Sequence, residues 1–151
     1  MNTQWIPALT ALVAVIVSPI VSVYVVRKQI NANVVSMNRQ KWIDNLRDQL
    51  SELISLLMFI NLGIHSKLVG KDNLINKIEK AFFVETKIKL LINPREEDHI
   101  ELISLIHNAV EEIFKDEKDR NLGKLMECQK AIVRVSQEVL KRESERVKKG
   151  E

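Results

Sequence analysis

The 151 residues contain one cysteine, Cys128. A lone thiol cannot close a disulfide within the chain, and no CxxC pair exists for zinc or dithiol chemistry. Glycine and proline are nearly as scarce, at four and three positions. So little turn chemistry points to long helices with few breaks. Aromatic residues make up 5% and fall mostly on apolar faces, which argues against a base-stacking platform. There is no Gly-rich phosphate loop, no HExxH and no Ser-His-Asp order. The most informative absence is of charge: residues 1–26 carry no charged side chain, and the first two are Arg27 and Lys28.

What fills that uncharged leader is "IPALTALVAVIVSPIVSVYVV", residues 6–26. As a helix rising about 1.5 Å per residue it spans roughly 31 Å, close to the hydrocarbon thickness of a bilayer. A cleaved signal peptide wants positive charge before its apolar run and a small-residue cleavage site after it. Here residues 1–5 carry no positive side chain and Arg27 and Lys28 follow the run, so a retained anchor is the expectation. Arg27, Lys28, Arg39 and Lys41 follow closely and put the C-terminal part in the cytoplasm by the positive-inside rule. Trp5 and Tyr24 suit the two interfacial belts.

Pro7 stands at the start of the span, where a missing N–H costs little. Pro19 stands inside it and predicts a kink near Val15. Thr10, Ala14, Ser18 and Ser22 recur every fourth residue. Such a small-residue stripe lets helices approach closely in lipid, so these four are candidates for a pore lining or helix interface.

Residues 29–40 are polar with scattered apolar positions, and read as a helical neck. Asn31 and Asn33 weaken the helix there without stopping it and are candidates for a gate. Next comes "RQKWIDNLRDQLSELISLLMFINLGIHSKLVG", in which Ile43, Leu46, Leu50, Leu53, Leu57, Ile60 and Ile64 alternate steps of three and four. Trp42, Ile54, Leu56 and Phe59 widen that seam, which predicts a bundle helix and not an isolated coiled coil. Gly70 is read as its C′ stop.

A second helix is expected over 72–92, with Leu74, Ile75, Ile78, Phe82, Ile88 and Leu91 buried and Glu85 at a partly exposed edge. "NPREEDH" then gives a start signal: Asn93 as N-cap, Pro94 at N1, Glu96 at N3. That third helix buries Leu102, Ile103, Ile106, Val110 and Ile113 and stops near "KDEKDRN". A fourth, about 121–147, uses Leu122, Leu125, Ile132, Val135 and Val139, and its charged tail is expected to fray. The expected plan is all-α: an anchor over 1–28, a neck over 29–40, a cytoplasmic bundle of four main helices over 41–147, and a charged tail over 148–151.

Net charge is +3, too small to argue for nucleic acid. It is unevenly divided. Residues 93–119 carry 3 basic and 9 acidic side chains, and residues 120–151 carry 9 and 5. Attraction between antiparallel neighbours explains this, as does an acidic edge of one subunit meeting a basic edge of the next. His99 and His107 lie on one helix with no clustered ligands, and are read as surface histidines and not as a zinc site.

Arg95 and His99 form a near-miss of the Arg/His pair with which helical RNases of the HEPN class act as dimers. Their spacing is short, and Glu96, Glu97 and Asp98 between them repel a phosphate, so a caps-only helix start is the preferred reading. With one span, the "RQKWIDNLRDQL" helix and a bundle of this size, the layout resembles the small CRISPR-associated membrane proteins that accompany type VI effectors. That resemblance implies ring-shaped oligomers acting as membrane pores in antiviral defence, and a degenerate HEPN-like pair at Arg95 and His99.

The expectation is a single-pass protein of the bacterial inner membrane, in contact with lipid and self-associating. It acts as an oligomeric pore or membrane-perturbing effector, with no catalytic residue, metal or cofactor and no direct nucleic-acid contact. The alternative is a membrane-tethered adaptor that recruits a protein on the cytoplasmic side. An RNase ranks last.

Overall fold

The computed structural model describes residues 5–66, 70–115 and 119–149, apart from the side chains of 5–14, 16, 65 and 66. The described residues form four helices and no strand: α1 (Trp5–Ser66), α2 (Lys71–Leu91), α3 (Glu97–Phe114) and α4 (Leu122–Lys149). The all-α class and the four-helix bundle are as expected.

α1 is a single helix of 62 residues that passes through Pro19 without interruption. At about 1.5 Å per residue it is roughly 93 Å long. Its first part is uncovered by the rest of the chain: residues 17–35 are all exposed, and the first fully buried side chain is Ile43. From there the seam works as its spacing predicts. Ile43, Leu46, Leu50, Leu53, Leu57 and Ile60 are buried, and Ile64 packs at the edge of the core. Each contributes about 1.5–3 kcal/mol by leaving water.

No helix among the described residues is long and apolar enough to cross a membrane. Residues 6–14 and 16 of the candidate span, with Thr10 and Ala14 among them, have side chains outside the described set. Ser18 and Ser22 are exposed, as are Asn31 and Asn33 in the neck, which is continuous helix.

α1 packs on α2 and α4, and α3 packs on α2 and α4, while the diagonal pair α1 and α3 touches least. The helices therefore stand as a square in chain order, running up, down, up and down, as short connections favour. Leu102, Ile106, Ala109, Val110 and Ile113 of α3 meet Leu125, Ile132, Val135 and Val139 of α4 in one core.

Several local expectations are corrected. Gly70, expected as the C′ stop of α1, is instead the N-cap residue of α2: its φ of −59° lies outside the left-handed region of such a stop, and its carbonyl accepts from Leu74 N–H at 3.1 Å. α2 buries Ala81, Val84, Glu85 and Ile88, whereas Ile75 and Phe82 face outward. Its apolar residues lie nearly all round, so periodicity alone misassigns the inner face. Glu85 is buried and not at an edge. Its Oε1 lies 2.7 Å from Lys89 Nζ and 3.2 Å from His107 Nδ1.

α3 starts at Glu97, not at Pro94. Residues 93–96 form a turn in which Asn93 Oδ1 accepts from Arg95 N–H at 3.2 Å and Glu96 N–H donates to the Asn93 carbonyl at 3.3 Å. Proline is well suited to the second position of such a turn. α4 reaches Lys149, so the tail is helical to that point.

Candidate functional site

α1 joins the bundle at Arg39 and Trp42, and there three elements bring polar side chains together. Trp42 Nε1–H donates to the Leu91 carbonyl at 2.7 Å. That carbonyl belongs to the last turn of α2, where helical partners have run out. The Trp42 ring lies 6.0 Å from that of His99, tilted by 31°. His99 is 1% exposed, which corrects its reading as a surface residue. His107, at 51% side-chain exposure, is the one on the surface.

α4 delivers the cations. Its seam steps through Leu125, Cys128, Ile132, Val135 and Val139 in threes and fours, and the same steps lead to Arg142 and Arg146. Arg142 donates to both Asp98 and Glu96. Its Nε lies 3.3 Å from Glu143 Oε1. Arg146 Nη1 donates to Glu96 at 3.0 Å and to Glu143 at 2.7 Å. Arg39 Nε of α1 approaches Glu143 Oε2 at 3.9 Å. Three guanidinium groups thus face three carboxylates across α1, α3 and α4.

The fields of this cluster are one-sided. Burial alone raises the carboxyl pKa of Glu96 and Asp98. The Arg146 bond and the Arg142 charge outweigh that at Glu96, and the Arg142 bond and charge do so at Asp98. Both carboxyls are held below their ordinary values. Burial likewise opposes the charge on Arg142, and the Asp98 and Glu96 carboxylates more than restore it.

His99 Nδ1 accepts the Asn93 backbone N–H at 3.2 Å, so the neutral ring carries its proton on Nε2. Arg142 Nη2, 3.1 Å from Nε2, is therefore held by the carboxylates and not by the ring. Glu96, His99 and Glu143 each offer a ligand atom within 4.8 Å of the others. A cation there meets two obstacles: Nδ1 accepts where a metal-bound imidazole donates, and the carboxylates already face Arg142 and Arg146. The chemistry of the cluster is that of an ion-pair hub joining the neck end of α1 to α3 and α4.

Arg95 is exposed, and its backbone N–H is spent on Asn93. The guanidinium at His99 is that of Arg142. The acidic and basic halves of the charge pattern meet within the chain here, and again where Arg134 Nη2 lies 3.3 Å from Glu101.

At the opposite end Glu112, 1% exposed, ties α3 to α4. Its carboxylate accepts from Asn121 N–H at 2.6 Å and Lys115 Nζ at 2.8 Å. Arg120 Nη2 donates to the Ile113 and Lys115 carbonyls at 2.9 and 2.6 Å, which serves the end of α3. Arg142, Glu143, Arg146 and Glu112 are absent from the residues singled out in the sequence. The legible signal for the first three was the α4 seam running on beyond Val139 into charge.

Compared with family models, with curated proteins and with solved structures, the chain gives no match.

Proposed function

We propose that the chain is a single-pass protein of the bacterial inner membrane whose helical bundle lies on the cytoplasmic side and whose copies assemble into a pore or membrane-perturbing effector. The carrying observation is the uncharged run of residues 6–26 at the head of one unbroken helix that ends in the bundle core. Val15, Val17, Ile20, Val21, Val23, Tyr24, Val25 and Val26 are all exposed on it. A continuous apolar surface of this kind is the mark of a lipid or partner contact. Arg27 and Lys28 at its end supply the orientation.

A single span cannot enclose water, so a conduit requires several copies. Thr10, Ala14, Ser18 and Ser22 line its axis or the neighbouring helix, and the neck at Asn31 and Asn33 gates it. The layout-level resemblance to the type VI accessory membrane proteins, with antiviral defence as their role, agrees with this reading. Deleting residues 1–28 abolishes depolarisation and toxicity in expressing cells; persistence of either in the truncated chain refutes the proposal.

A second reading, a membrane-tethered adaptor, is favoured by a different observation, the apolar groove between α1 and α4 lined by Met58, Leu62 and Met126. Replacing residues 1–28 with an unrelated single span separates the two. A pore loses activity, and an adaptor keeps it.

A further inference from the structure

One end of the bundle points back along α1 toward the uncharged run. α4 lies antiparallel to α1: Arg39 Nε approaches Glu143 Oε2 at 3.9 Å, and Leu62 shares a surface hollow with Leu122 and Met126. Beyond Glu143, α4 therefore climbs in the direction of residues 6–26, and it stays helical to Lys149. The turn between α2 and α3 sits at the same end, since Arg142 and Arg146 both hold Glu96.

The hub at this end is neutral in itself, three guanidinium groups against three carboxylates. What stands around it is mostly basic. Lys41 of α1, Arg95 of the turn and Lys141, Lys148 and Lys149 of α4 are exposed, and none has a carboxylate partner among the described residues. Only Glu97 and Glu145 oppose them as exposed carboxylates outside the hub. At the far end Lys115, Arg120 and Lys124 are matched in number by Glu112, Asp119 and Glu127. Cations suit the last turn of a helix because of its dipole. That accounts for Lys148 and Lys149 taken alone, but not for Lys41 and Arg95 on other elements at the same end.

The distances bring these cations close to a bilayer. From Val26 to Arg39, α1 covers roughly 20 Å at about 1.5 Å per residue. From Glu143 to Lys149, α4 recovers roughly 9 Å of that at the same rise. Headgroups add roughly 5–7 Å outside the hydrocarbon on each side. About 5 Å is left between Lys149 and the headgroup layer, inside the Debye length of about 8 Å at physiological salt.

We infer that the neck end of the bundle, led by Lys148 and Lys149, binds the anionic phospholipid headgroups of the leaflet on its own side, a second membrane contact besides the span. This rests on the membrane reading for the position of that leaflet. Basic clusters just outside a span are drawn to anionic lipid, each cation at the surface strengthening the contact roughly fivefold. The contact also holds a terminal turn that fraying otherwise opens.

The test is hydrogen exchange of the full-length chain in lipid nanodiscs, with neutral phosphatidylcholine compared against the same lipid mixed with phosphatidylglycerol. Anionic lipid slows exchange over residues 144–149 by roughly 5-fold to 25-fold, the effect of one to two lysines, and high salt removes the difference. Lys148→Gln combined with Lys149→Gln loses it, whereas Lys148→Arg combined with Lys149→Arg keeps it. Both pairs change an exposed helix end, and circular dichroism checks that each is folded.

Equal exchange of this segment in the two lipids overturns the contact, while a chain still held in the discs leaves the span standing. A Gln pair that keeps the full difference overturns the assignment to Lys148 and Lys149. Slowing by an RNA oligomer on neutral discs, with none from anionic lipid, makes this end a nucleic-acid site and overturns the lipid contact. A chain recovered outside the discs in both lipids overturns the membrane reading instead.

Discussion

Glu112 offers the sharpest test of how the bundle is closed at the end away from the neck. Its carboxylate is nearly fully buried, yet it is stabilised by the Asn121 N–H and by Lys115, the residue three positions on. A hydrogen bond to a charged group contributes roughly 1.5–3 kcal/mol, and a buried donor left unmatched costs about 1–3 kcal/mol. Glu112→Ala removes the acceptor and strands the Asn121 N–H, for an expected loss of about 2–3 kcal/mol. Glu112→Gln keeps the shape and one oxygen but not the charge, for about 1 kcal/mol. In a bundle of this size each kcal/mol lowers the midpoint by roughly 4–8 °C, so Ala costs about 8–24 °C and Gln about 4–8 °C.

The carboxyl is held below its ordinary value of 4.5, first by the Lys115 bond and then by the Asn121 N–H. A depressed carboxyl stabilises the fold fully above 4.5 and loses that contribution as pH falls through the lowered folded-state value. The wild type therefore exceeds Glu112→Gln most at neutral pH, and the difference closes in acid. Thermal unfolding of the full-length chain in detergent, followed by far-UV circular dichroism across that range, measures both. Equal midpoints for wild type and Glu112→Gln at neutral pH, or a gap that does not change with pH, refute the assignment.

Two further outcomes concern the neck end. Trp42→Phe keeps the ring but leaves the Leu91 carbonyl without its 2.7 Å donor; a loss of about 1 kcal/mol follows, and hydrogen exchange rises first in the last turn of α2. Arg142→Gln removes the cation that Asp98 and Glu96 share, so stability falls at neutral pH. Both carboxyls are depressed from 3.8 and 4.5, so the variant's deficit shrinks as pH drops below those values; a deficit that instead grows in acid contradicts the hub.

The helical plan was legible because α1, α3 and α4 each bury one narrow stripe, and a three-four spacing reports such a stripe directly. Leu46, Leu50, Leu53 and Leu57 read correctly for that reason. α2 did not. Ile75, Phe82 and Phe83 face outward, and no spacing rule separates an apolar outer face from an inner one. His99 and Glu85 were misread because polarity was taken for exposure, whereas each is buried beside a polar partner on another helix. The hub itself was half visible: "NPREEDH" marked its α3 side, but Arg142 and Arg146 come from more than 40 residues further on, and only the packing of α3 on α4 joins them.

The unbroken run of α1 makes the molecule a lever. From Ile20 to Leu62 the chain has neither glycine nor proline, so nothing there invites a bend. The part of the arm beyond the hub that is free of both, residues 20–41, is roughly 33 Å long at about 1.5 Å per residue. By geometry alone, a tilt of about 10° at its base, Arg39 and Trp42, displaces the far end at Ile20 by roughly 6 Å, given that rise.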